Sequence, residues 1–533
     1  MPPQNVEKDL QLGLKELNMP RVITSNPSNE ELVSSSNGEN SPEIPVEPSI
    51  RDVKLSEWIA MLILCFVNLI NYMDRFTLAG VLSDIQKHYN IGNDMAGLLQ
   101  TSFILSYMVF APLFGYLGDR YSRKFIMALG VALWSLTTLL GSFMNVFGWF
   151  VLFRALVGIG EASYSTIAPT IISDLFIKGV RSKMLAMFYF AIPVGSGLGY
   201  IVGSETARAL GAWQWALRIT PGLGLIAVIL LLVVLKDPQR GASEGSGHLA
   251  TTAWKEDLKD ISKNKSFILS TAGFTCVAFV AGALAWWGPT FIFMGIRLQN
   301  DNAELNDVSY KFGVISMLSG LMGVPTGSFL AQRLRHAYAR IDPQICAAGL
   351  LISGPLIFMA LITAAYHEVI CYTFVFFGEF FLNLTWSIVA DILLYCVLPT
   401  RRSTAEGVQL LVSHALGDAG SPYLIGVMSD ALYNLMKDSD AASVAALTNS
   451  SIPLTAALTS SDSSRNNEIK FRALQYAIFT TCFVEILGGF FFLLNSLYIV
   501  KDRQKVERAV RNLDLDIGSD SERLPRHSDA SFT

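Results

Sequence analysis

Two otherwise apolar stretches carry ionisable and amide side chains at helical spacing. In the first, Asn68, Asn71 and Arg75 are separated by offsets of 3 and 7, which puts them on one helix face with Asp74 on its flank. In the second, Arg154, Gly158, Glu161 and Ser165 recur at offsets of 4, 7 and 11. Seven residues at about 100° each return nearly to the starting face, so Arg154 and Glu161 line one surface two turns apart. An ionisable group at mid-bilayer costs about 2.5–3.5 kcal/mol on insertion scales and is retained where it meets partners or a wet cavity. The chemistry such a set could perform is proton exchange at Asp74 and Glu161, with Arg154 neutralising them or receiving an anionic group. Removal from water favours the protonated carboxyl and a nearby guanidinium disfavours it, so an anion bound at the arginine would capture or release a proton. The static alternative is a permanent salt bridge between two helices, and Arg75 could instead reach the outer interface.

A second set lies in the other half of the chain: Glu379 and Asp391, then Glu406, His414 and Asp418. His414 and Asp418, four apart, share a helix face, and a histidine titrates near lysosomal and cytosolic pH, which suits a gradient sensor as well as a plain helix contact. Ser413 beside His414 does not make a catalytic pair, because adjacent side chains on a helix point about 100° apart. Gly241, Ser243 and Gly245 match a nucleophile-elbow pattern without a strand before them. No enzyme activity and no cofactor are expected.

Gly195, Gly197, Gly199 and Gly203 lack the strand and turn of a nucleotide site, whereas Gly199 and Gly203 at i, i+4 suit close helix packing. No G-x-x-x-x-G-K-[ST] sequence is present, which disfavours an ATP-driven pump. The six cysteines fall in or beside apolar segments with no CxxC, so neither metal nor disulfide is expected.

The elements that position these residues follow from composition. Of 533 residues, 51% are hydrophobic and 16% charged, with a mean hydropathy of +0.41; that is a membrane composition. The net charge of −4 argues against a nucleic-acid partner. Twelve windows between residues 57 and 500 are long and apolar enough to span, the eleventh covering 403–432. The chain therefore reads as an all-α polytopic membrane protein of twelve transmembrane helices in two pseudo-symmetric six-helix bundles. An acidic, disordered tail covers 1–55, the first bundle 56–235, a cytosolic linker 236–265, the second bundle 266–500, and a solvated tail 501–533. Twenty-two Lys and Arg lie in the loops of one side and in the basic stretch after the last span, six in the loops of the other. The positive-inside rule then places both termini in the cytosol and a long 433–470 loop outside or in a lumen, where Asn449 could be glycosylated. Aromatic side chains including Tyr164, Trp286, Trp287 and Trp386 could line an apolar part of a binding site.

After the second span stands GYLGDRYSRK, from Gly115 to Lys124; after the eighth stands GSFLAQRLRH, from Gly327 to His336. This alignment sets Gly115 on Gly327, Asp119 on Ala331 and Arg123 on Arg335, as expected of a duplicated bundle. The cluster of Gly115, Asp119, Arg120, Arg123 and Lys124 resembles the signature loop of the major facilitator superfamily, and by that resemblance Gly115, Asp119, Arg120 and Arg123 would gate the cytosolic face.

More narrowly, NYMDRFTLAGVL (Asn71 to Leu82), GEASYSTIAPT (Gly160 to Thr170), FAIPVGSGLGY (Phe190 to Tyr200), WSIVADILLYCVLPTRRSTAE (Trp386 to Glu406) and HALGDAGSPYLIG (His414 to Gly426) resemble the Spinster family. The resemblance spans about 55–500 and implies an alternating-access carrier of single-chain amphipathic lipids such as lysophospholipids and sphingolipids. The resemblance implicates Asp74, Glu161 and Arg154; with the residue patterns above, proton coupling is expected at Asp74, Glu161, His414 and Asp418, and substrate binding at Arg154, Asn71, Arg75, Ser165 and Trp386. The partners expected are the lipid, protons and the bilayer, with the chain acting as a monomer. A late endosomal or lysosomal membrane is the leading address. Export of sphingosine-1-phosphate at the plasma membrane, or a non-transporting receptor or scaffold, are the alternatives.

Overall fold

The structure is a computed structural model that describes residues 53–176, 178–237, 254–335, 337–398, 401–448 and 458–522. Asn449, the N-terminal tail to 52 and the linker residues 238–253 lie outside the described residues. Every described element is helical. In order these are α1 (Leu55–Gly80), α2 (Leu82–Tyr89), α3 (Asn93–Arg120), α4 (Arg123–Gly141), α5 (Phe147–Leu175), α6 (Lys178–Leu210) and α7 (Ala216–Val233), followed by the short α8 (Trp254–Ile261). Then come α9 (Lys265–Arg297), α10 (Leu305–Arg335), α11 (Ile341–Thr363), α12 (Glu368–Asn383), α13 (Thr385–Cys396), α14 (Arg402–Ser413), α15 (Ser421–Thr448) and α16 (Leu458–Glu522). Among the described residues, eleven helical segments are long and apolar enough to cross a bilayer. In such a solvent a helix is the segment that satisfies every backbone polar group internally.

The eleventh window, 403–432, is a broken helix. α14 and α15 are joined through a wide π-type turn at His414–Asp418, where Gly417 departs from helical geometry (φ −98°, ψ −105°). Such turns re-aim side chains within a span, and here the turn carries both candidate residues.

Three regions differ from the expectation. α15 runs on to Thr448 and α16 begins at Leu458, so helix occupies much of the expected 433–470 loop. α16 also continues through Glu522 into the expected solvated tail. The reason is propensity: the stretch ending at Thr448 is rich in alanine, and the segment after Lys501 alternates good helix formers, with Arg503 donating to Glu507 four residues on at 2.9 Å. The linker, finally, contains α8, tied to the loop between α13 and α14 by a salt bridge between Arg401 and Asp260.

Small residues set the helix seams. A Cβ on Gly195, Gly199 or Gly203 of α6 would lie 2.6 Å from the Leu69 carbonyl, 2.6 Å from that of Met73 and 2.9 Å from that of Thr77, respectively. α1 and α6 therefore touch backbone to backbone over three turns, the packing that drives helix association where no hydrophobic gradient exists. Contacts between the first and last six spans gather at the end with few Lys and Arg. There Ser309 donates to the Gly80 carbonyl (2.8 Å), Thr101 to that of Ala419 (2.5 Å), and Asp94 N–H to Asp430 Oδ2 (2.8 Å). At the opposite end, among the described residues, Arg123 pairs with Asp174 within the first half, and Arg335 with Asp342 and Asp391 within the second, both at 2.9 Å.

Candidate functional site

α1, α3 and α5 bring the polar residues of the first half together, and the partners differ from those that spacing within one helix suggests. Glu161, completely buried in α5, is met not by Arg154 of its own helix but by Arg75 of α1, whose Nη2 lies 3.1 Å from Glu161 Oε2. The Arg75 side chain, only 11% exposed, turns to this carboxyl and not to the outer interface, and Arg154 acts on Glu161 from a distance without a salt bridge. A helix periodicity reports which residues share a face; it does not report which neighbouring helix faces them.

Asn71, with its amide nitrogen turned to the carboxyl, donates to Glu161 Oε2 at 2.6 Å and Oε1 at 3.2 Å. Ser165 sits 3.3 Å from the other end of that amide. Asp74 faces elsewhere: it accepts from Thr138 of α4 at 3.1 Å and from Thr220 of α7. Asn68 donates to the Phe188 carbonyl at 2.9 Å and fixes α1 on α6.

Arg75 lies among rings as well as beside an anion. Its guanidinium carbon is 5.0 Å from the Tyr72 ring centre, 4.8 Å from that of Phe103 and 5.7 Å from that of Tyr107, within the range of cation–π attraction. Phe103 is shared, because the Arg154 guanidinium carbon lies 4.3 Å from the same ring. Arg154 is 95% buried, yet its one hydrogen bond is a 3.5 Å contact to Gln100, and its Nε has no partner.

Tyr107 carries the cluster across to the second half. Its ring meets His414 edge-on with centroids 6.0 Å apart. His414 Nδ1 in turn lies 2.8 Å from Asp418 Oδ1. One continuous set of contacts therefore joins Glu161, Arg75, Tyr107, His414 and Asp418, four of them singled out in the sequence.

Gln100, Phe103 and Tyr107 were not anticipated, although their spacing of three and four residues marks one face of α3. Of the remaining candidates, Trp386 stands edge-on to Phe274 of α9 at 5.2 Å. Trp287 and Tyr164 are buried and use their polar atoms on the carbonyls of Pro422 (3.0 Å) and Leu64, so they hold seams. Gly115 has open space beside it, and the side chains of Asp119 and Arg120 lie outside the described residues. Glu379, also in the second half, accepts from Ser316 at 3.0 Å and Ser319 at 2.9 Å, both of α10.

The family model described as Major Facilitator Superfamily matches residues 64–422. Protein spinster of Drosophila melanogaster is 57% identical over 495 residues, covering 88% of this chain and 82% of that protein. Protein spinster homolog 1 of Homo sapiens is 47% identical over 500 residues, covering 91% and 89%. Among solved structures, an inward-facing, unoccupied bacterial homologue of the human lysosomal transporter Spinster superposes with a TM-score of 0.71 at 21% identity, covering 84% of this chain and 99% of that one.

Proposed function

The chain belongs to the Spinster family of the major facilitator superfamily and is a multi-pass membrane transporter, and from that premise we propose that it carries single-chain amphipathic lipids with an anionic headgroup, by alternating access and in exchange with protons. The observation that carries this reading is the state of Arg154: a buried guanidinium resting on Phe103, with one long hydrogen bond and an Nε without a partner. Asp74 and Glu161 offset its charge at a distance without bonding its donors, which leaves the N–H groups free to receive a further anion. The planar fork of donors suits a phosphate or carboxylate, and the adjoining rings of Phe103 and Tyr107 suit the start of an acyl chain.

Proton exchange in this reading falls to Glu161, whose partner Arg75 shares the Phe103 ring with Arg154. A headgroup drawn to Arg154 adds negative charge beside the Arg75–Glu161 pair, and protonation of Glu161 relieves it. The His414–Asp418 pair, linked through Tyr107, is the second element assigned to proton exchange. The description of the bacterial relative's human counterpart as lysosomal supports a lysosomal address.

The test is uptake of labelled lysophospholipid into proteoliposomes by Arg154→Lys, which keeps the charge and loses the fork. We expect uptake to fall at least tenfold, equivalent to about 1.4 kcal/mol, with folded yield unchanged. Undiminished uptake, or equal competition by a neutral single-chain lipid, would overturn headgroup recognition at this residue.

A further inference from the structure

Glu485, in the middle of α16, is completely buried and is absent from the cluster described above. Its Oε1 lies 2.9 Å from Ser353 Oγ of α11, and its Oε2 has no hydrogen-bond partner. The same Ser353 Oγ lies 2.8 Å from the Gly378 carbonyl of α12. Among the described residues no cation pairs with Glu485. The other titratable groups around it are neutral thiols, Cys482 one turn earlier on α16 and Cys276 of α9, which meets Gly488 one turn later. α11 also contributes Gly354, whose Cβ position would be 3.2 Å from Oε2. α12 contributes the Gly378 carbonyl, and its next residue, Glu379, turns its carboxyl to α10.

The hydrogen count decides the protonation state. A serine hydroxyl has one hydrogen and two acceptor sites, whereas an ionised carboxylate and a carbonyl only accept. Ser353 stands at full hydrogen-bond distance from both, and its single hydrogen serves one of them. If that hydrogen goes to Gly378, the 2.9 Å contact to Glu485 needs a second hydrogen, and a protonated Glu485 supplies it. The chain Glu485 O–H to Ser353 O–H to Gly378 carbonyl then satisfies every contact in one direction, and it removes an uncompensated buried charge that would cost several kcal/mol.

We propose that Glu485 is a proton-binding site of the second half, separate from Glu161, and that its proton fastens α16 and α11 to α12 through Ser353. α12 continues past Gly378 to Glu379, which is tied to Ser316 and Ser319 of α10. Loss of the proton leaves a bare carboxylate between helices and frees Ser353 to turn to it, which releases the Gly378 carbonyl. The site thus links a proton to the packing of four helices without touching the substrate position, and it stands whether or not Arg154 binds a headgroup.

The test is infrared spectroscopy of the full chain in lipid nanodiscs at neutral pH, comparing the parent protein with Glu485→Gln. The difference spectrum should show one protonated carboxylic C=O stretch, lost in the variant and shifted in heavy water. A carboxylate band lost instead would overturn the proposal. Ser353→Ala provides a second reading that keeps Glu485: the carboxylic band should persist and move to higher frequency as its acceptor disappears. No movement would place the proton elsewhere and refute the relay.

Discussion

Arg75 of α1 and Glu161 of α5 form a buried ion pair of 3.1 Å whose cation is also wrapped by three aromatic rings. Breaking such a pair by removing one partner costs more than the pair contributes, because the survivor is left charged and dry. The pair is therefore hard to open by truncation and easy to open by moving a proton. Glu161→Gln copies the protonated acid in shape. We expect it to express and bind lipid as the parent does while its transport loses the response to a pH gradient, read as flux at several imposed gradients in proteoliposomes. Retained pH dependence would remove Glu161 from the coupling step.

Tyr107 joins the two halves of the cluster by its ring more than by its hydroxyl, since the ring faces both Arg75 and His414. Tyr107→Phe keeps both contacts and should leave flux within about threefold of the parent. Tyr107→Leu removes a cation–π contact that contributes about 0.5–2 kcal/mol and should lower flux more than the Phe variant does. The pair of variants measured side by side separates ring from hydroxyl, and equal losses would assign the effect to the hydroxyl.

How much of this was legible in the sequence depends on whether a signal is internal to one helix. The shared faces of Asn71 with Arg75, of Arg154 with Glu161 and of His414 with Asp418 follow from spacing alone, and the last pair does meet at 2.8 Å. The close packing anticipated at Gly199 and Gly203 is likewise present against α1. Which helix each face meets is a property of the bundle, so the Arg75–Glu161 pairing and the turn of Asp74 toward Thr138 and Thr220 were not available from period. Glu485 was available: a lone acid in a run of Phe, Leu and Gly carries the same signal as Glu161, but no second charged residue on its helix face drew attention to it. Asp94 and Asp430 fall near span ends, where a charge is ordinary, and only the contact between α3 and α15 gives them meaning.

That contact makes a conformational prediction. Asp430 accepts the Asp94 N–H at the first turn of α3, while Asn93 donates to Ser429 at 3.0 Å, so one half holds the positive end of a helix from the other. Asp430→Ala removes an acceptor and leaves a helix N-terminus without its cap, a loss of about 1 kcal/mol. The population open at this end should rise about fivefold. Spin labels on Lys87 and Asn302, in a background with the native cysteines replaced, would report it as a longer distance between the two halves. An unchanged distance distribution would show that the closure rests on backbone packing alone.

The seam between α1 and α6 offers the sharpest test of the fold itself. Gly199 has no room for a side chain, because its Cβ would already press on the Met73 carbonyl at 2.6 Å and the Phe76 side chain at 3.0 Å. Gly222 of α7 has nothing within 4 Å of the same position. Overpacking a helix contact costs about 1–3 kcal/mol, whereas alanine in place of glycine in an open helix position gains up to about 1 kcal/mol. Gly199→Val should therefore lower the thermal melting point and folded yield in detergent, and Gly222→Ala should hold or raise them. Because α1 carries Asn71 and Arg75, the seam variant should also lose transport in whatever fraction survives purification, since a shift of α1 pulls Arg75 off Glu161. A stable and fully active Gly199→Val protein would mean that α1 can move away from α6 without disturbing the ion pair, and that the pair positions the helix instead of the reverse.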